Sequence, residues 1–359
     1  MLKSWGYDAT TGFRQFQTIY GITTTFSADA FGNVASAAKA NGKATSFTYS
    51  WGVLEDTVTA GVVVDRTINP DGSVASETVA GRTTTYEYDD RLGRLTRKQP
   101  PGATNATITS YDDANRTVTV RRGDSLLTTT SDGFGRPVET VNGVGVRTRA
   151  EFDAEGRRTY QSYPFEDADV GTEFTFDALG RIVQETNTGD QTVRTRTYDD
   201  RSNSVTVRDE ANRTTVLTYR GFGHPDDARL VRVVDASQQE WSYAYDAIGN
   251  LAQVVTPTGH SRTWIRNTNG LLTSETHPES GTVLYAQYDA AGVLKRKVDA
   301  KGTTFLYQHD DNDRITQITA GSRVTSIGYE FGSDNRVSMS NGSVSTSFTY
   351  DAAGRLAHR

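Results

Sequence analysis

Tyr245-Asp-Ala-Ile-Gly-Asn-Leu251 is the stretch whose reading decides the fold, because the chain repeats it. Close copies are Tyr288-Asp-Ala-Ala-Gly-Val-Leu294 and Tyr350-Asp-Ala-Ala-Gly-Arg-Leu356. Phe176-Asp-Ala-Leu-Gly-Arg-Ile182 has Phe for Tyr, and Tyr88 to Leu95 is one residue longer. With the aromatic as anchor, weaker copies extend the register from Tyr7 to Tyr350, seventeen anchors at spacings of 19 to 26 residues. The second position is Asp or Asn in 14 of 17 copies, the exceptions being Ser50, Arg220 and Glu330. The fifth is Gly in 13, with Asn115, Asn203, Asp313 and Asn335 in the others, all residue types that tolerate left-handed backbone.

Each motif reads as a turn between two strands. Asp at the first corner (Asp89, Asp177, Asp246, Asp289, Asp351) can accept backbone N–H groups just ahead and close a type I turn. Glycine behind it (Gly93, Gly180, Gly249, Gly292, Gly354) takes positive φ without a Cβ clash. Aromatics alternate before the turn, as in Phe47/Tyr49, Tyr86/Tyr88 and Phe348/Tyr350, which is the period of a strand face. Branched residues follow it: Leu95, Ile182, Leu251, Leu294 and Leu356. A second turn signal lies about ten residues on, as at Asn41-Gly42, Gly81, Pro101-Gly102, Asp299-Ala-Lys-Gly302 and Gly321. Each unit is therefore two antiparallel strands and two tight turns, about 34 strands in all. No helical stripe or linker interrupts them, and residues 1–359 read as a single array of about 17 repeats. Pairs of units would suit propeller blades, but blades need alternating units, whereas these look alike.

Composition agrees and excludes other classes. The chain has 359 residues, 35% hydrophobic and 10% aromatic, with a net charge of −6. Its charge is too ordinary, and its aromatics too many, for a disordered chain. An acidic, well-mixed chain is a poor phosphate binder, so no nucleic-acid partner is expected. No apolar run approaches the ~18 residues of a membrane-spanning helix, and Met1 to Gly6 shows no signal-peptide core. Cysteine is absent, which removes disulfides, thiolate metal sites and a thiol nucleophile.

On these motifs the chain resembles the YD-repeat (Rhs-repeat) family, whose signature is an aromatic, Asp, two variable residues, Gly, a variable or Arg residue and a branched apolar one. The resemblance covers essentially the whole chain. It implies an all-β fold: tandem hairpins of about 21 residues in a long curling antiparallel sheet, an open shell or part of a hollow cocoon. It further implies a non-enzymatic wall that encloses a toxin or effector domain supplied elsewhere in the full-length chain. Partners would be the remainder of that shell and the enclosed polypeptide, and the location secreted or cell-surface. The alternative is a surface adhesion or carbohydrate-binding module that meets glycans or surface proteins. Toxin-type members carry an Asp-Pro-x-Gly cleavage motif, and no Asp-Pro dipeptide occurs here. Both ends are expected to fall within the array.

No convergent set of unlike catalytic residues is apparent, so no catalytic, cofactor or metal residues are expected. His224, His260, His277, His309 and His358 are scattered, and His309 stands in an aromatic anchor slot. Asp310-Asp-Asn-Asp313 resembles the opening of a calcium loop but lacks its later Gly and acid, and reads as a solvated turn. The sequons at Asn105, Asn115, Asn212 and Asn341 read as accidents of composition. The anchor rings are expected to pack between repeats rather than lie bare, because exposed belts aggregate. Unpaired strands at the array ends are expected to fray or associate.

Overall fold

A computed structural model describes residues 3–89, 91–102, 105–221 and 228–359. His224 lies outside these. The described residues form 35 strands and no helix. Strands pair antiparallel with their sequence neighbours, as Val74–Val79 does with Ile68 to Val64 on one side and with Arg82 to Thr85 on the other. Thirty-three belong to one sheet, and Thr349–Tyr350 with Leu356–His358 form a two-stranded one.

Two turn chemistries join the strands. In the Asp-headed turns the Asp N–H donates to the residue four ahead and the fourth residue donates back to the Asp carbonyl, as in Asp246 N to Asn250 O (2.9 Å) and Gly249 N to Asp246 O (3.0 Å). This is a type I turn followed by a left-handed residue, and Gly249 stands at φ 84°. At Ser50 and Ala80, where no Asp heads the turn, the loop shrinks. Ser50 pairs directly with Val53, and Trp51 and Gly52 both take positive φ, the geometry of a two-residue hairpin turn. Ala80-Gly81 is built the same way.

Two compact units result, Met1–Thr104 with Arg262–Arg359, and Asn105–Ser261. Neither contains a conventional core. Ala150 and Tyr160 are the only buried apolar residues described, and no large side chain is completely buried. The accessible area is 21939 Å², against about 14,000 Å² for a compact globular chain of this mass. The sheet is thus a single layer whose residues are half-covered by neighbours on their own face. Burial peaks between Ala150 and Gly171, where Ala150, Tyr160, Ser162 and Gly171 are buried. There Phe165 exchanges backbone hydrogen bonds with Arg147, and the Tyr160 hydroxyl donates to Asp169, which also pairs with Arg149.

Candidate functional site: repeat joints and a charged seam

The motif builds a joint between successive repeats. At Asp177, Oδ1 accepts the N–H groups of Leu179 and Arg181 (both 2.9 Å), while Oδ2 accepts Arg181 Nε at 2.8 Å. The Arg181 backbone N–H chiefly holds this carboxyl below its ordinary range, with the Arg181 side chain adding to it. The Arg181 guanidinium lies 4.2 Å from the ring centroid of Tyr198, the next anchor. The Tyr198 hydroxyl then donates to the carbonyl of Ile182, just after the first turn (2.9 Å). One Arg and one Tyr therefore tie this turn to the following repeat, as Arg314 and Tyr329 tie theirs. Arg136 over Phe152, Arg157 over Phe176 and Arg314 over Tyr329 repeat the stacking.

The motif residues stand as follows. Tyr88 donates to Val74 O, Tyr245 to Leu230 O, Tyr288 to Leu272 O and Tyr350 to Arg336 O. Across the turns Tyr88 pairs with Leu95, Phe176 with Ile182, Tyr245 with Leu251, Tyr288 with Leu294 and Tyr350 with Leu356. Asp89, Asp246, Asp289 and Asp351 each accept backbone N–H groups of their own turn. Gly93, Gly180, Gly249, Gly292 and Gly354 all have positive φ. The tyrosine hydroxyl bonds are absent from the sequence reading; the excess of Tyr over Phe at the anchors was their signal.

Three expectations change. In the turn after Tyr111 the left-handed residue is Arg116 (φ 54°) rather than Asn115, because Asp112 pairs with Thr117 across a four-residue loop. In the turn after Tyr329 it is Gly332 (φ 79°) rather than Asn335, whose amide instead reaches the Glu330 carboxylate. Apolar turn tips are bare, with Phe31 91%, Phe134 87% and Trp51 82% exposed, although the anchor rings are half-buried except Tyr7. The Asp310–Asp313 turn is not a solvated one.

That turn belongs to a seam within the unit formed by Met1–Thr104 and Arg262–Arg359. Asp313 takes Lys39 and Lys43, both at 2.7 Å, and Lys43 also donates to the Asp310 carbonyl. Burial works against ionisation of Asp313, but the two ammonium groups outweigh it and its carboxyl stays below the ordinary range. Asn41 donates to Asp289 at 3.2 Å across 248 residues. Arg82 grips both oxygens of Glu330 at 2.6 and 2.9 Å, also across 248 residues. The Arg82 bond, followed by that from Ser333, holds the Glu330 carboxyl at about 2. Close packing continues between the charges. A Cβ on Gly292 would meet Ile22 at 3.0 Å, and one on Gly332 would meet Ala80 at 3.2 Å. The second turns of the N-terminal stretch thus sit on the motif turns of the C-terminal stretch. Burial, then Lys295, lowers the His309 pKa, favouring the neutral ring in its anchor slot. Among the described residues no group of His, Cys, Asp and Glu could hold a metal ion.

A single-layer sheet of Asp-turn hairpins, sewn edge to edge through its turns, defines a YD-repeat shell protein. The profile of the teneurin YD-shell family matches residues 109–359, and the chain belongs to that family. Among solved structures, it resembles the Photorhabdus luminescens Tc holotoxin pore at TM-score 0.71 and 14% identity, covering 98% of this chain and 23% of that one. The TcdB2-TccC3-Cdc42 crystal structure is similar at TM-score 0.60 and 12% identity, over 98% of this chain and 25% of that one. The chain thus spans about a quarter of the length of these neighbours. No curated protein sequence matches it. Shell family and fold are structural in type rather than catalytic.

Proposed function

We propose that this chain is a stretch of containment wall in a secreted or surface-delivered protein, enclosing a toxin or effector polypeptide supplied by the rest of that protein, with no enzymatic role of its own. The observation that carries the reading is the seam. Turns 248 residues apart are joined by a two-pronged Arg–carboxylate contact and by close packing at Gly292 and Gly332. A wall must seal its edges, and an adhesive module has no need to. The glycan-binding alternative asks for bare rings side by side, whereas the anchor rings are half-buried, several beneath arginines.

Protease protection tests the proposal. The protein encoded by the complete native reading frame is digested alongside the same protein lacking residues 1–359. Containment requires that polypeptide outside this stretch resist digestion only when the stretch is present. Equal digestion in both proteins would refute it.

A further inference from the structure

The seam uses only half of the turn edges in its unit. It joins the second turns of the N-terminal stretch to the motif turns of the C-terminal stretch. The motif turns of the N-terminal stretch and the second turns of the C-terminal stretch are left over, and they match.

The N-terminal motif edge is acidic and apolar. The Asp8 and Asp29 carboxylates accept hydrogen bonds from their own turns, and among the described residues no cation pairs with either. Beside them Phe31 and Trp51 are 91% and 82% exposed. The seam-side turns hold Asn269, Ala291, Asn312 and Ala353 where this edge has Phe31. The Glu330 turn of the seam side also carries a bare ring, Phe331 at 78% exposed, so a ring alone does not tell the edges apart; on the uncovered edge Phe31 and Trp51 stand on successive turns, an apolar row of the kind that marks a contact surface.

The C-terminal second-turn edge presents Lys301, Arg323 and Val344, all exposed. Lys301 holds the turn position that Asn41 holds in the seam, since Gly42 and Gly302 close their turns identically. Arg323 holds the position of Arg82, because Ala320 pairs with Arg323 as Val79 does with Arg82. Neither Lys301 nor Arg323 has an ion-pair partner among the described residues. Asp299 heads the Lys301 turn and accepts the N–H groups of Lys301 and Thr303, just as Asp8 and Asp29 accept those of their own turns. Lys301, Arg323 and Val344 follow one another at one-repeat intervals, as do Asp8, Asp29 and Trp51. A single register therefore sets Lys301 opposite Asp8, Arg323 opposite Asp29 with Phe31, and Val344 opposite Trp51.

We propose that these edges are the two halves of a head-to-tail interface between copies of this chain, repeating between molecules the contact that the seam makes within one. Cation meets carboxylate at two positions, Arg323 covers the Phe31 ring, and Val344 covers Trp51. The contact is heterologous, so copies add in an open series rather than closing as a two-fold dimer. It does not depend on the containment proposal, since it concerns this chain alone.

Sedimentation velocity tests it. The wild-type chain is expected to gain mass with concentration and to lose that tendency at high salt, which screens exposed charges. K301E/R323E makes the basic edge acidic, and A9K/A30K adds cations at exposed tips of the acidic edge without touching the Asp turn bonds. Each variant alone is expected to self-associate at least ~10-fold more weakly, because like charges then oppose. Their equimolar mixture is expected to regain assembly, which also shows that both fold. A wild-type chain monomeric at every concentration, variants that assemble like wild type, or a mixture that stays monomeric would each overturn the proposal.

Discussion

Replacing Glu330 by Gln should loosen the seam while leaving the hairpins intact. The Glu330 carboxyl stands at about 2 in place of 4.5, a shift worth about 3 kcal/mol if all of it became stability. Glu330 keeps 29% of its side-chain exposure and Arg82 19%, and ion pairs reached by water return much less than the bare shift. The two-pronged geometry offsets part of that loss. The expected effect is ~1–2 kcal/mol, a factor of roughly 5–30 in the opening equilibrium. The folded pKa is the depressed one, so this contribution is complete above the unfolded value of 4.5 and is lost as pH falls towards 2. A repeat array opens locally, so a single global unfolding energy is the wrong readout. Amide hydrogen exchange near residues 80–82 and 330–335 reads the seam directly. E330Q should speed exchange there at neutral pH, with the difference from wild type shrinking at acid pH. Unchanged protection at the seam, or equal losses across Asn105–Ser261, would refute the reasoning.

Further outcomes follow from the joints. Tyr288→Phe removes the hydroxyl bond to Leu272 O (2.6 Å) and should cost ~0.5–1.5 kcal/mol in local opening, read by exchange around 272 and 288. Gly292→Ala meets both strained φ (84°) and Ile22 at 3.0 Å, whereas Gly259→Ala meets strain (φ 80°) in open space. Both should be destabilising, the second by ~1–2 kcal/mol for backbone strain alone and the first by more, read by amide exchange around 259 and 292. Arg181→Lys keeps the charge but loses the planar group over Tyr198 at 4.2 Å. Exchange should rise in the turn from Asp177 and around Tyr198 together, because a single side chain serves both.

The turns were legible because their chemistry is local. An Asp that caps two backbone N–H groups and a residue that accepts positive φ lie within five positions, so Asp246-Ala-Ile-Gly249 announces itself. Turn length was harder to read. Asn115 and Asn335 are the right residue types in loops of other lengths, where Arg116 and Gly332 take the left-handed position. The seam was hidden because its partners lie about 250 residues apart and no short-range periodicity links them. Its one trace was the placing of lysine: only seven occur in the chain, and two, Lys39 and Lys43, flank one turn. Asp313 read as a turn-former standing in for Gly. It is that, at φ 62°, and it is also the acid on which both lysines close.

Zero-length carbodiimide cross-linking of the unmodified protein, followed by peptide mass spectrometry, tests the central claim most directly. It joins an amine to a carboxylate only where the two touch, and the scarcity of lysine keeps the result unambiguous. The account expects an amide link from Lys39 or Lys43 to Asp313, at 2.7 Å. Short-range links such as Lys295 to Asp289 (3.3 Å), with none joining Lys39 or Lys43 to Asp313, would contradict it.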